Sequence, residues 1–292
     1  MALKSFQSSK RQRFRKELET LKILNQGHSR YIIKLLASFS CSDYHGLLFP
    51  WAEMNLHEVF ADNISSSEES FAETWILRQM TGLAQGLSVI HQRPDLHDGN
   101  ILYGRHGDLH PLNILLVKTL DDPSINEKGV LQLSSMGQVE FFRSPEEFSI
   151  PKNAGMYEAP ECQLEHAAGP SYDMWSLGCI FLEMLVWLSS GSQGLHQFSR
   201  ARLNPDPIYG ERVQDDYFFT LLAKEGKYVG AELRPSVKSW IRRCQGHWET
   251  GSVFRKVLCI IEGHMLQPCP FRRLPSGVIY SKFQSLCIIL ES

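Results

Sequence analysis

An aspartate and an asparagine five positions apart, Asp108 and Asn113, lie in the segment Gly-Arg-His-Gly-Asp-Leu-His-Pro-Leu-Asn-Ile-Leu (residues 104–115), just before an apolar strand. The chemistry such a pair could carry is proton transfer at a shared reacting group, the carboxylate accepting or orienting a proton and the amide oxygen offering a ligand to a cation. Taken alone, the spacing is also that of an ordinary polar turn. Residues 95–102, Asp-Leu-His-Asp-Gly-Asn-Ile-Leu, repeat it thirteen positions upstream with Asp95 and Asn100. Context separates the two copies: His106 stands two before Asp108, whereas Arg93 stands two before Asp95. Asp108 and Asn113 are the expected pair.

The elements that must position them follow from periodicity. Phe14, Leu18, Leu21 and Leu24 recur at helical spacing, and Ile76, Met80, Leu83, Leu87 and Ile90 give a longer amphipathic helix over about residues 71–91. The runs 32–39 and 46–49 read as two strands joined by a turn at Ser42-Asp43-Tyr44-His45, making a small β-containing N-terminal part. Beyond Pro50 the chain reads as mostly helical. The Ser/Glu-rich stretch 64–70 reads as a loop and helix start, and no fixed-period repeat is present.

Composition narrows the classes further. A chain of 292 residues suggests two domains, or one large bilobal unit, at about 150 residues per domain. With 43% apolar residues it can bury a core, which excludes disorder as the main reading. Lys+Arg of 30 against Asp+Glu of 32 leaves a net charge of -2, so no global basic field exists to hold nucleic acid or an anionic membrane. The apolar run Met174 to Leu188 is interrupted by Glu183 and is shorter than the ~20 residues of a bilayer span, so it reads as a buried core helix. Seven widely spaced cysteines without a C-x-x-C pair, and a start that lacks a secretory pattern, point to a reduced intracellular protein of the cytoplasm or nucleus.

Two later segments carry the assignment. Tyr157-Glu158-Ala159-Pro160-Glu161 is followed by Tyr172-Asp173-Met174-Trp175-Ser176-Leu177-Gly178-Cys179, and together with His106-x-Asp108-Leu109-x-Pro111-x-Asn113 they resemble, in order and spacing, the eukaryotic Ser/Thr protein kinase family. The Gly-Arg-His-Gly-Asp wording is similar to that of many fungal-type members. The resemblance implies an α+β, bilobal fold, with an incomplete β-containing small lobe and hinge at 1–54 and a mostly helical large lobe at 55–292. It implies Asp108 and His110 as catalytic residues, Asn113 on a metal, and Lys4 paired with Glu17 on the phosphates of ATP. The backbone of Pro50 and Ala52 would meet the adenine at the hinge. It further implies that Asp173 binds the backbone of the catalytic loop and that Glu161 pairs with Arg273. The expected cofactors are ATP and Mg2+, and the expected partners are a protein substrate or a protein ligand, with no nucleic acid and no membrane span. Substrate identity and oligomeric state are not specified.

Several positions depart from that pattern. No Gly-rich loop precedes Lys4, so its strand is expected at a sheet edge, either in a truncated version of a longer kinase or covered by a partner. Ser135, in Ser134-Ser135-Met136-Gly137, stands where the metal-binding aspartate belongs. Gly107 replaces an arginine that binds a phosphorylated loop, which argues against control by loop phosphorylation. His110 replaces a lysine, and no threonine follows Ile150 before Glu161. Impaired catalysis is expected. Two other readings stand beside it: a pseudokinase that docks another protein, and a small-molecule phosphotransferase, which His-Gly-Asp-Leu-His-Pro also resembles but which the 157–161 and 172–179 segments oppose.

Overall fold

The protein, as a computed structural model, is described over residues 1–27, 29–61, 69–94, 99–118, 129–150, 155–206 and 210–292. It opens with β1 (Ala2–Gln7), followed by α1 (Arg11–Asn25), β2 (Ala37–Ser40) and β3 (Tyr44–Phe49). These strands form an antiparallel sheet in the order β1-β3-β2, so β1 is an edge strand, as expected. Helix α1 buries Phe14, Leu21 and Leu24 on the face that its spacing foretold. Phe14 meets Phe6 edge-on at 5.7 Å and stacks on His45 at 4.8 Å, which fixes the helix on the sheet.

The strand expected over 32–39 is shorter than its apolar run. Ile32 makes a single parallel bridge to Leu133, and Ile33 N donates to Leu133 O at 2.9 Å. The first apolar pair is thus spent on the core beneath the small sheet, and only residues 37–40 join that sheet. Tyr44 and His45, expected in the turn, belong to β3.

Next come β4 (Met54–Asn55), α2 (Leu56–Ala61), α3 (Glu69–His91), β5 (Gln92–Pro94) and β6 (Ile101–Arg105). β7 (Ile114–Val117), β8 (Val130–Leu133) and β9 (Glu140–Phe142) complete two further sheets, β4-β7-β8 and β5-β6-β9. Helix α3 buries Ile76, Met80, Leu83, Leu87 and Ile90 almost completely. It also supplies hydrogen bonds to the strands: Leu131 N donates to Gln79 Oε1 at 2.8 Å, and Trp75 Nε1 donates to Gly129 O at 3.1 Å. Those contacts set β8, whose end leads directly into Ser134 and Ser135.

The long helix α5 (Ser171–Arg202) follows the single turn α4 (Pro160–Gln163). Its helical conformation breaks at Gly191 (φ 63°, ψ -170°), where a glycine accepts the positive φ. Its most apolar 18-residue window is 72% buried by the rest of the protein, in accord with a core helix. The part after α5 departs from the expectation of mostly helix. Two hairpins, β10 (Asn204–Asp206) with β11 (Gly210–Asp215) and β12 (Phe219–Lys224) with β13 (Lys227–Leu233), precede α6 (Pro235–His247), α7 (Val253–Ile260) and α8 (Ser276–Glu291). The β12–β13 turn places Glu225 and Gly226 at φ 53° and 74°, the left-handed pair that matches strand twist in a two-residue hairpin loop. The expected α+β class holds, and all seven cysteines are unpaired thiols.

Candidate active site

The loop between β6 and β7 is held from below by one carboxylate. Asp173, fully buried in the first turn of α5, accepts from His106 N at 2.6 Å and Gly107 N at 2.8 Å. His91 Nε2 donates to the same carboxylate at 2.9 Å, and Ser276 Oγ lies 2.9 Å from His91 Nδ1. Burial alone would push the Asp173 carboxyl up, but the hydrogen bond and charge of His91 and the Gly107 amide together hold it below its ordinary range. Gly107 takes a φ of 76°, which lets two successive amides face that carboxylate. His106 Nε2 lies 2.8 Å from Ser134 O and so donates to it, leaving Nδ1 to accept from Asp108 N at 3.3 Å.

Asp108, His110 and Asn113 are brought together. Asn113 Nδ2 lies 2.9 Å from Asp108 O, 3.0 Å from Asp108 Oδ2 and 2.8 Å from His110 Nε2. An amide donor at that nitrogen requires a bare imidazole Nε2. Burial lowers the His110 pKa against an opposing pull from Asp108, whose Oδ1 is 3.6 Å away, so the ring is neutral. On the other side of the amide, Ser135 Oγ donates to Asn113 Oδ1 at 2.8 Å, with Ser135 itself in the left-handed region at φ 61°.

Lys4 and Glu17 also meet. Lys4 Nζ sits 2.7 and 2.8 Å from the two Glu17 carboxylate oxygens, with the glutamate buried and the lysine 43% exposed. Glu17 lies directly against Gly137, where a Cβ would approach its Oε2 to 2.8 Å. The α1 carboxylate is therefore packed on the backbone two residues after Ser135. Pro50 and Ala52 occupy the connection from β3 to β4, half-buried, and Glu53 N anchors it by donating to Leu116 O at 2.9 Å. Of the upstream copy of the pattern, Asp95 lies outside the described residues, and Asn100 sits in the connection leading into β6.

A cleft of about 740 Å³ opens beside Asp108 and His110. Its lining also includes Gly155, Met156, Tyr157 and Glu158, together with Tyr172 and His57. Glu161 receives both guanidinium nitrogens of Arg273, at 2.7 and 2.8 Å, with both side chains almost fully buried. Tyr157 Oη donates to Glu183 at 2.7 Å, and Arg202 Nη2 meets the other oxygen of that carboxylate at 3.2 Å. Glu183, Arg202 and Arg105 belong to none of the site residues that the sequence motifs name. Arg105 directly precedes His106, and a cation beside that motif was the available signal.

Residues 1–199 match the family described as the protein kinase domain. The chain belongs to that family. Among the proteins that this kinase domain is similar to, the serine/threonine-protein kinase crk1 of Schizosaccharomyces pombe is 27% identical over 170 residues, 58% of this chain and 44% of that protein. Cyclin-dependent kinase 7 of Xenopus laevis is 27% identical over 190 residues, 64% of this chain and 48% of that protein. Cyclin-dependent kinase D-1 of Oryza sativa subsp. indica is 31% identical over 172 residues, 58% of this chain and 35% of that protein. The chain spans less than half the length of these curated relatives.

The family uses ATP and magnesium. The Lys4–Glu17 pair suits a nucleotide phosphate, because the buried carboxylate fixes a partly exposed ammonium. The donors on the metal side do not suit magnesium. That ion takes one or two carboxylates together with the phosphates, in near-octahedral order. Here the Asn113 oxygen already accepts from a neutral hydroxyl at the position expected to hold a carboxylate. Among the described residues no group of three His, Cys, Asp or Glu could hold a metal ion.

Proposed function

We propose that this kinase domain transfers phosphate from ATP to serine or threonine of protein substrates only feebly, with residues 1–54 acting as small lobe and hinge and residues 55–292 as large lobe. The observation that carries this reading is the contact of Ser135 Oγ with Asn113 Oδ1, next to an otherwise assembled site. Asp108 faces the cleft and is oriented by Asn113 Nδ2, so an acceptor hydroxyl entering there meets a carboxylate able to take or orient its proton. Lys4, with Glu17 behind it, would steady the phosphates, and the backbone of Pro50 and Ala52 would meet the base. The contribution that is missing is charge at Ser135. Losing one central electrostatic contact commonly lowers turnover by about 10²- to 10³-fold.

The same observation favours a second reading, a protein-binding scaffold with no turnover. Incorporation of labelled phosphate from magnesium-ATP into myelin basic protein distinguishes them. Weak incorporation that Asp108→Asn abolishes supports the first. Incorporation indistinguishable from the Asp108→Asn background, together with no ATP-induced rise in Tm, rejects it and leaves the scaffold.

A further inference from the structure

The Arg105 guanidinium is buried, with a relative exposure of 3%, and is committed at both ends. Nη1 donates to the backbone oxygens of Ser149, at 2.6 Å, and of Ala168. Nη2 donates to Ser149 Oγ at 3.0 Å and to the Glu140 carboxylate at 2.5 Å. Ser149 Oγ donates to the same Glu140 oxygen at 3.1 Å, and Ala168 N donates to Ser149 O at 3.2 Å. The guanidinium lies 5.4 Å from the Phe142 ring centroid, over the strand that carries Glu140. Residues 149 and 168 form an antiparallel bridge. Gly155, Met156, Tyr157 and Glu158, which line the cleft, fall between them in the sequence.

We propose that Arg105 is a positioning residue: it ties Ser149 and Ala168 to the strand that leads into the catalytic loop, with Glu140 as a counter-ion supplied by the chain itself. The inference rests on reading the cleft as the acceptor site. The geometry uses what distinguishes arginine, because a planar fork can serve four acceptors on three segments while an ammonium is a single point. Loop closure also explains why both Ser149 and Ala168 must be bound: with the two pinned together, Gly155, Met156, Tyr157 and Glu158 lose much of their freedom to drift from Asp108. Glu140 neutralises a charge that would otherwise be buried without a partner.

The test uses the full chain with Arg105→Lys and, because Glu140 is partly exposed and its replacement spares the core, Glu140→Gln. Amide hydrogen exchange is read at Ala168, which donates to Ser149, at Glu158, which donates to Gly155 at 2.9 Å, and along α5 as a reference. In both variants exchange at Ala168 and Glu158 accelerates roughly tenfold or more while α5 stays protected, the signature of a local opening. Unchanged exchange at Ala168, or equal acceleration along α5, overturns the proposal. With myelin basic protein as acceptor, KM rises in both variants more than kcat falls, and a fall confined to kcat also overturns it. Absence of turnover in every form, the unsubstituted chain included, rejects the kinase reading, while the exchange result still decides the role of Arg105.

Discussion

Ser135 donates its hydroxyl to the side-chain oxygen of Asn113 at 2.8 Å, while the nitrogen of the same amide donates to Asp108. One asparagine thus joins the aspartate that would face an acceptor hydroxyl to the residue that would face the metal. A hydroxyl satisfies the amide and keeps the loop ordered, so the site retains its shape. It brings no negative charge, and phosphoryl transfer depends mainly on charge placement.

Replacing Ser135 with aspartate should therefore raise turnover. The backbone there already has φ 61°, which aspartate tolerates at least as readily as serine. With magnesium-ATP, Ser135→Asp is expected to raise phosphate incorporation by roughly 10²-fold, within the range for one central electrostatic contact. Asp108→Asn in the same background should abolish the gain. Equal rates for Ser135→Asp and the parent chain would show that Ser135 does not limit catalysis.

Lys4→Met tests where the nucleotide sits. The lysine is 43% exposed but Glu17 is buried, so removing the ammonium strands a buried carboxylate and should cost more than the ~1 kcal/mol of an exposed pair in urea unfolding. The thermal shift produced by ATP should nearly vanish, because the only cation placed by that pair is gone. A variant that keeps its ATP-induced shift would move the nucleotide away from Lys4.

Much of this arrangement is legible in the sequence. The helix bearing Glu17 and the apolar stripe of α3 follow from spacing, and the pairing of Glu161 with Arg273 follows from resemblance to the kinase family. Arg105 was hidden because its four acceptors come from residues 140, 149 and 168, a convergence that only folding produces. The hairpins over 204–233 were hidden for another reason. Alternation in β12 lasts only from Phe219 to Leu222, and the Glu225-Gly226 turn that closes the strands is too short a signal to stand without its flanks.

The Glu161–Arg273 pair should dominate stability in the large lobe. Both side chains are sealed from water, and Arg273 also donates to Ser171 O at 3.0 Å and to Gln267 O at 2.7 Å. Glu161→Ala leaves a buried guanidinium without its carboxylate and should cost about 3–5 kcal/mol. Urea unfolding of Glu161→Ala, Arg273→Ala and the double variant checks it. The double variant should lose less than the sum of the single losses, since neither charge is then stranded. Strict additivity would mean that the two side chains act independently.

His110 gives the site a pH dependence with a definite sign. Burial, opposed by Asp108, places its folded-state pKa below the ordinary 6.5. Between those two values the unfolded chain holds more protons than the folded one, so stability falls as pH drops through that window and is unaffected by this group above it. Protonation also removes the lone pair that accepts from Asn113 Nδ2 at 2.8 Å, which loosens the amide between Asp108 and Ser135. In urea midpoints measured against pH, His110→Asn should reduce the acid-side slope below pH 6.5. The His110 ring resonances should titrate below that of an exposed histidine. A ring that titrates above 6.5 would mean that attraction to Asp108 outweighs burial, and the imidazole would then enter the cleft as a cation.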